Sequence, residues 1–305
     1  MKPALSSGPR AARVFMDTVV SVTVLGTTPE AAVERAFGWF ALVESICSRF
    51  ENDSEVMRLT AAVGVAVHVS PVLLEAVRFA IAVARETDGA FDPAIGGLMQ
   101  SRGFNRSYRT GRRVTASPAS VPATFRDIQV DTAEQTITLH RPLIIDLGAV
   151  AKGLAIDLAA RELAAERTFA IDAGGDIYVK GYNPNGEPWR VAVRHPRWPA
   201  EAHCVLQLSD AAVCTSGGYA RPAAGGQHHI LDPRTGCSPS ELISTTVVAP
   251  TAMLADALST ATLVLGEAAG MRLIERQGVD GLTLSRTLRA AATDGFRRRV
   301  AAPAA

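Results

Sequence analysis

The chain has 305 residues, of which 48% are hydrophobic and 20% are charged; this composition is typical of a globular protein with enough length to bury a core. Its 31 basic and 30 acidic residues leave a formal net charge of +1, which excludes a broad basic surface for nucleic acid. The four cysteines include no Cys-x-x-Cys pair, so neither a disulfide framework nor a zinc-ligand spacing is indicated. Cys214 lies in an apolar run, and we expect it to be a buried thiol.

The N-terminal residues include basic side chains but no apolar stretch of the length found in signal peptides. No apolar run in the sequence reaches the ~20 residues that a membrane-spanning helix needs. We therefore expect a soluble, cytoplasmic protein without a stable membrane anchor. Arg297, Arg298 and Arg299 form a short basic cluster near the C-terminus, which we interpret as a solvated tail.

The first third of the chain predicts a strand followed by two helices. Residues 14–25 mix small polar and apolar side chains and predict a strand, after which Thr27 or Thr28 with Pro29 predicts a helix start. The apolar residues of this helix recur at helical spacing: Val33, Phe37, Phe40 and Val43. A second helix is predicted to begin at Ser70-Pro71 and to end at the turn 87–89.

The rest of the chain predicts more strands than helices. A loop is expected over 108–122, then short strands around Ile128 and Ile137, then a strand at 143–146 that leads into a helix over 150–166. Further strands are predicted at 169–171, 177–179, 189–193, 205–208 and 243–248, and the last helix at 254–275. Because turns rather than helices separate many of these strands, the pattern favours an α+β fold over a doubly wound α/β fold.

The segment 146–153 reads Asp-Leu-Gly-Ala-Val-Ala-Lys-Gly, and it predicts a carboxylate, a bend and then a helix start. The free N–H groups of a helix N-terminus suit a phosphate, and Lys152 would add a full charge. The alternative is a plain strand-to-helix turn with a solvated lysine.

Asp256 and Thr260 are four residues apart on the last predicted helix, so their side chains project from one face. A carboxylate and a hydroxyl are the hard oxygen ligands that Mg²⁺ takes, with substrate phosphates and waters completing the shell. The alternative is that the two residues cap the helix.

Two adjacent histidines, His228 and His229, precede the turn Asp-Pro-Arg-Thr-Gly in a short extended run. Neighbouring side chains of a strand point to opposite faces, so at most one of them faces a given site. That histidine could take a proton from an attacking hydroxyl. The alternative is a structural or surface histidine.

Two further turns carry side chains that suit a ligand. Residues 172–176 read Asp-Ala-Gly-Gly-Asp, and the paired glycines allow close backbone approach to a ligand. Residues 87–93 read Thr-Asp-Gly-Ala-Phe-Asp-Pro, where an aromatic ring could hold a flat ring system. Each segment is equally consistent with a plain tight turn. The sequence lacks a G-x-G-x-x-G, a P-loop and a G-x-S-x-G motif, so it indicates neither a classical nucleotide-binding loop nor a serine hydrolase elbow.

Taken in order, these segments resemble the FAD:protein FMN transferase family, also called the ApbE family. The matching stretches are 16–18, 48–50, 54–56, 87–93, 146–153, 174–176, 186–189, 215–217, 229–236 and 255–260. The resemblance implies one α+β domain over 14–290, with mainly antiparallel sheets and flanking helices. It leaves 1–13 as a disordered or extended N-terminus and 291–305 as a flexible tail.

The resemblance also implies roles for individual residues. His229 would be the catalytic base, with His228 in reserve, and Asp256 would act in catalysis and in metal binding. Mg²⁺ would be held by Asp256, Thr260 and the backbone carbonyl of Ala149. FAD would be bound by Met16, Phe50, Ala90, Phe91, Asp92, Asp146, Lys152, Gly174, Ser216 and Ile230.

The implied reaction moves FMN from FAD to a threonine or serine hydroxyl of an acceptor flavoprotein and releases AMP. The family's acceptor motif reads roughly Ser/Thr-Gly-Ala-Thr/Ser. In this chain Gly-Ala is followed by Phe91 or by Val150, so we expect a separate acceptor protein. Two alternatives stay open: a Mg²⁺-dependent FAD pyrophosphatase, and a non-catalytic FAD-binding protein.

The chain departs from the family pattern at two positions. Asp17 stands where the family usually has glycine, which adds a negative charge near an anionic ligand. Gly218 stands where the family has aspartate, so a carboxylate expected near the site is missing. The acceptor, the oligomeric state and the choice between Mg²⁺ and Mn²⁺ are not determined by the sequence.

Overall fold

A computed structural model describes residues 10–26, 30–107, 111, 113–114, 122–220 and 227–301 of the chain. The strands of these residues are β1 (Arg10–Phe15), β2 (Thr18–Val24), β3 (Ala66–His68), β4 (Ile128–Asp131), β5 (Thr136–Leu139), β6 (Phe169–Ala173), β7 (Asp176–Lys180), β8 (Trp189–Arg194), β9 (Ala202–Leu208), β10 (Ala211–Gly217), β11 (Leu242–Ala249), β12 (Asp280–Ser285) and β13 (Ala290–Ala292). The helices are α1 (Glu30–Cys47), α2 (Glu55–Ala61), α3 (Pro71–Glu86), α4 (Gly96–Ser101), α5 (Ala151–Glu162), α6 (Ala252–Leu265), α7 (Glu267–Arg276) and α8 (Asp294–Arg299).

The central element is an eight-stranded sheet in the order β1-β2-β6-β7-β10-β11-β12-β13. Every neighbouring pair in it is antiparallel. A three-stranded sheet, β3-β5-β4, and the β8-β9 hairpin are separate from it. The predicted α+β fold with mainly antiparallel sheets is therefore confirmed.

Both faces of the central sheet are covered. On one face α1, α3, α5 and α6 bury a large apolar core that includes Phe37, Phe40 and Ile156. On the other face the β8-β9 hairpin and α8 bury a smaller core around Trp189 and Phe296. The strands in the middle of the sheet are consequently apolar or hydroxyl-bearing on both sides, as expected for a sheet buried on two faces.

Several predicted elements are confirmed at their expected positions. The first helix buries Phe37, Phe40 and Val43. The second begins at Pro71, with the Ser70 hydroxyl accepting from the backbone N–H of Leu73 as an N-cap. The strands around residues 128 and 137 pair as β4 and β5, and Cys214 is buried.

Other expectations are corrected. Residues 14–25 do not form one strand: they contain the end of β1, the turn after it and β2, which pairs with β1 as a hairpin. Residues 143–146 form no strand and make only a single bridge, from Ile144 to Ile95. The helix expected over 254–275 is two helices, because the chain turns at Gly266 with a φ of 80°. The helix start at 27–29 and most of the loop 108–122 lie outside the described residues.

Strands and helices reach both ends of the described residues. Strand β1 begins at Arg10, inside the segment expected to be an extended or disordered N-terminus. At the other end β13 and α8 occupy the segment expected to be a tail, and Phe296 is 1% exposed. Arg299 pairs with Asp280 of β12 at 3.0 Å, which ties this last helix to the central sheet. Among the described residues, no helix is both long and apolar enough to cross a membrane.

Candidate active site

A cavity of about 350 Å³ lies where the central sheet meets the N-terminal end of α5 and the middle of α6. Six different loops and turns contribute to its wall. Apart from His228, the reserve base, the residues to which the resemblance gave a role all line the cavity: Met16, Phe50, Ala90, Phe91, Asp92, Asp146, Ala149, Lys152, Gly174, Ser216, His229, Ile230, Asp256 and Thr260. Residues separated by more than two hundred positions in the chain are thus brought to one place.

One end of the cavity carries a cluster of three charged side chains, a half-buried lysine and two buried carboxylates. The Lys152 ammonium lies between two carboxylates, in contact with Asp176 and 3.1 Å from Asp256. Burial alone would lower the pKa of Lys152, but the two carboxylates overcome this effect and the pKa is raised. Burial raises the pKa of Asp256, against the opposing influence of Lys152. The lysine is therefore held in its charged form.

Hydroxyl groups surround this cluster. The Ser216 Oγ, at the end of β10, lies 2.8 Å from the Ser259 Oγ and 2.9 Å from the Thr260 Oγ1 of α6. Asp256 and Thr260 are one helical turn apart and both face the cavity, as their spacing predicts. Sheet and helix are therefore linked by a short hydroxyl network at the wall of the cavity.

The donor set at this end suits a hard divalent cation. A carboxylate of Asp256, the hydroxyl of Thr260 and the carbonyl of Ala149 all line the same cavity, and all are oxygen ligands of the kind that Mg²⁺ takes. Within the described part of the chain, no group of three or more His, Cys, Asp or Glu side chains could hold a metal by itself. A cation here would complete its shell with oxygens from water or from a substrate.

The rest of the cavity is apolar and aromatic. Phe50 follows α1, and Phe91 lies in the turn after α3. Asp92 anchors that turn, because its two carboxylate oxygens accept from the backbone N–H groups of Ala94 at 2.8 Å and Phe125 at 3.0 Å. Burial raises the pKa of Asp92. This end of the cavity could accommodate a flat ring.

The turn before α5 is fixed by Asp146. One of its oxygens accepts from the backbone N–H of Gly148 at 2.8 Å, and the other pairs with Arg49. The turn presents Ala149 to the cavity and starts the helix that carries Lys152. Across the cavity, Gly174 has a φ of 71°, and a Cβ there would lie 2.2 Å from the Thr18 Oγ1. Only glycine suits this position.

The two adjacent histidines have different surroundings. His229 lines the cavity. His228 is buried, accepts from the backbone N–H of Ile230 at 3.3 Å and lies 3.2 Å from the Pro239 carbonyl. Burial lowers the pKa of His228. The environment of His228 is thus that of a structural histidine.

The two departures from the family pattern differ in position. Asp17 lines the cavity, at the tip of the β1-β2 hairpin. Gly218 is not among the described residues that line it, and its Cα packs against an imidazole: a Cβ would lie 2.5 Å from the His228 Cδ2. The negative charge of Asp17 therefore bears directly on the cavity.

Sequence reasoning assigned no role to several residues that line the cavity, among them Arg49, Asp176 and Thr215. Asp176 ends the Asp-Ala-Gly-Gly-Asp segment, and its pairing with Lys152 was not visible because the two residues are 24 positions apart. Arg49 and Thr215 lie in stretches that match the family, but the resemblance implied no role for either residue.

The fold and the cavity define an α+β protein with a site that is aromatic at one end and charged at the other. Residues 16–283 match the model of the ApbE family, and the chain belongs to this family. It is 31% identical to the FAD:protein FMN transferase of Vibrio cholerae over 262 residues, covering 82% of this chain and 76% of that protein. The FAD:protein FMN transferase of Treponema pallidum is 30% identical, with 95% and 88% covered.

Solved structures show the same relationship. The ApbE protein of Thermotoga maritima has a TM-score of 0.85 at 26% identity, over 96% of this chain and 99% of that one. The apo form of the flavinyl transferase ApbE of Pseudomonas stutzeri has a TM-score of 0.83 at 25% identity, over 98% of both chains. The family expected from the sequence is confirmed.

Proposed function

We propose that this protein is an FAD:protein FMN transferase that moves FMN from FAD onto a threonine or serine hydroxyl of an acceptor flavoprotein. The observation that carries the proposal is the arrangement of one cavity. It has aromatic side chains at one end, Lys152 and Asp256 at the other, and His229 in its wall. The names of the relatives support the same activity.

The flavin ring would lie against Phe50 and Phe91, and the pyrophosphate would lie at the Lys152 end. Two carboxylates flank Lys152 there, so its charge would act together with a bound cation to stabilise a phosphate that gains negative charge as its bond to AMP breaks. A Mg²⁺ ion held by Asp256, Thr260 and the Ala149 carbonyl would neutralise charge on the same phosphates. Mn²⁺ has similar ligand preferences and is an alternative.

The acceptor hydroxyl would attack the FMN phosphorus and form a new P–O bond, while the P–O bond to AMP breaks and AMP leaves. His229 would take the proton of that hydroxyl. His228 is unsuited to this task because its ring is committed to backbone groups. Ser216 would help to hold the phosphate end of FAD through its hydroxyl.

The acceptor would present a segment of the Ser/Thr-Gly-Ala-Thr/Ser type, and it would be a separate protein. Incubation with FAD, Mg²⁺ and a peptide carrying Ser-Gly-Ala-Thr tests the proposal. We expect AMP release matched by a mass gain of one FMN on the peptide. AMP with free FMN would instead indicate a pyrophosphatase, and bound FAD without AMP would indicate a binding protein.

Variants at the two histidines sharpen this test. His229→Asn should lower the transfer rate by roughly a hundredfold or more, as expected for loss of a general base, and should leave FAD binding within about twofold. The matched control is His68→Asn, since His68 is exposed on β3 and outside the cavity. Equal losses in both variants would contradict a catalytic role for His229.

A further inference from the structure

Arg49 is a buried arginine that connects several parts of the cavity wall. Arg49 lies two residues after the end of α1, and its side chain is 5% exposed. The Nε donates to Asp146, and the Nη2 donates to the Phe104 carbonyl at 2.5 Å. The guanidinium carbon lies 4.3 Å from the centre of the Phe50 ring. Arg49 therefore fixes one cavity carboxylate and one cavity aromatic ring at once.

The third nitrogen of this guanidinium, Nη1, is buried and has no hydrogen-bond partner among the described residues. A buried N–H without an acceptor is costly, and such groups are rare in folded proteins. Arg49 lines the candidate active-site cavity and also a smaller neighbouring cavity of about 130 Å³. Nη1 itself is covered, so an oxygen of a ligand in either cavity would reach it when the guanidinium turns toward that cavity.

The position of Arg49 favours a particular part of FAD. The phosphates would lie where Lys152 and the hydroxyls of Ser216 and Thr260 converge. Arg49 instead stacks on Phe50, at the aromatic end, where a flat ring would pack. The flavin ring carries carbonyl oxygens on its pyrimidine edge, and a guanidinium N–H is a strong donor to such oxygens.

We propose that Arg49 is a substrate-positioning residue that orients Asp146 and Phe50 and donates from Nη1 to a carbonyl oxygen of the flavin ring. This inference rests on the proposed function, because it takes FAD as the ligand. Charge-assisted hydrogen bonds of this kind give orientation as well as affinity.

The test measures ligand binding in the absence of divalent cations, so that turnover does not contribute. Wild type, Arg49→Met and Arg49→Lys are titrated with FAD, FMN and ADP. Arg49→Met should bind FAD and FMN roughly ten- to a hundredfold more weakly, with ADP binding within about twofold of wild type. Arg49→Lys should recover part of the loss, since lysine keeps the charge but not the planar fork.

The matched control is Arg58→Met, because Arg58 is exposed on α2 and outside both cavities. An equal loss of ADP binding in Arg49→Met would overturn the flavin contact in favour of a phosphate or adenosine contact. Unchanged flavin binding would overturn the proposal altogether. If Arg49→Met does not fold, the absorption spectrum of FAD bound to Arg49→Lys tests the proposal instead. The hydrogen bond from Arg49 should shift the visible absorption of bound FAD in wild type, and this shift should be smaller in Arg49→Lys.

The two proposals fail in different ways. A wild-type protein that binds FAD and transfers no FMN would contradict the proposed function, while the Arg49 variants would still report on the flavin contact. A wild-type protein that binds no flavin would overturn both.

Discussion

The carboxylate of Asp157 on α5 accepts hydrogen bonds from the backbone N–H groups of Ala252 and Met253, at 2.7 and 3.0 Å. It thereby satisfies free donors at the start of α6. Lys152 lies in the first turn of α5, and Asp256 lies in the second turn of α6. The contact therefore determines how these two side chains of the cavity are placed relative to each other.

The first prediction concerns Asp157 and pH. Burial raises the pKa of Asp157 from 3.8 to about 6, although the two N–H groups oppose the shift. The folded protein then binds the proton more tightly than the unfolded chain, so the stability contributed by the protonated form is lost as pH rises from about 4 to about 6. Urea unfolding of wild type and Asp157→Asn should show wild type losing stability relative to the variant across this window.

A pH-independent difference between those two proteins would contradict this prediction. Asp157→Ala should lose about 1–2 kcal/mol, as expected for removal of a helix cap. Glu134→Ala, at an exposed turn position, is the control and should stay within about 0.5 kcal/mol of wild type.

The second prediction concerns the close packing of the same two helices. A Cβ on Gly153 would lie 2.4 Å from the Met253 Cα and 2.6 Å from the Ala252 carbonyl carbon, which are backbone atoms that cannot rotate away. Gly153→Ala should therefore separate α5 from α6, lower the free energy of unfolding by about 1–3 kcal/mol and reduce transfer.

Gly38 supplies the matched comparison for Gly153. It also lies in a helix, α1, but nothing is within 4 Å of the Cβ that alanine would add. Gly38→Ala should stabilise the protein by about 0.5–1 kcal/mol. Changes of the same sign in the two variants, measured by chemical denaturation, would count against the packing argument.

The third prediction concerns Lys152. Lys152→Met leaves Asp176 and Asp256 close together without the ammonium between them, and unpaired buried charges are destabilising. We expect Lys152→Met to melt at a lower temperature than wild type. Its melting temperature should also rise more than that of wild type when millimolar MgCl₂ is added. Lys180→Met is the control, since Lys180 donates to the Ala164 carbonyl and lies outside the cavity. An equal response of all three proteins to MgCl₂ would refute the expectation.

The fourth prediction concerns Asp17. Met16 and Asp17 have φ values of 50° and 60°, as in the two-residue turns that join antiparallel strands. Asp17 places a negative charge in the cavity wall, where it would repel an anionic ligand. Asp17→Asn should bind FAD about two- to fivefold more tightly at low salt, and the gain should shrink at high salt.

Asp17→Asn is preferred to Asp17→Gly because asparagine tolerates the left-handed conformation and removes only the charge. The control is Asp53→Asn, at an exposed position outside the cavity. A gain in affinity that does not depend on salt would point to backbone strain rather than charge.

The sequence by itself determined the elements whose signals are local. Helical spacing with a serine N-cap predicted α3, and spaced apolar residues predicted the core face of α1. The family resemblance selected all the residues that were given roles, and they line one cavity. Local patterns suffice here because a helix period, a cap or a turn depends on only a few neighbouring residues.

Tertiary structure decided the rest. Strand β10 was not predicted because both its faces are buried, so it shows no polar alternation. The pairing of Lys152 with Asp256 joins residues 104 positions apart, and the buried donors of Arg49 meet their acceptors only when α1 packs beside the turn at Asp146. Which of two adjacent histidines faces the cavity also depends on where the Pro239 carbonyl lies. These features depend on long-range packing, which no local pattern in the sequence encodes.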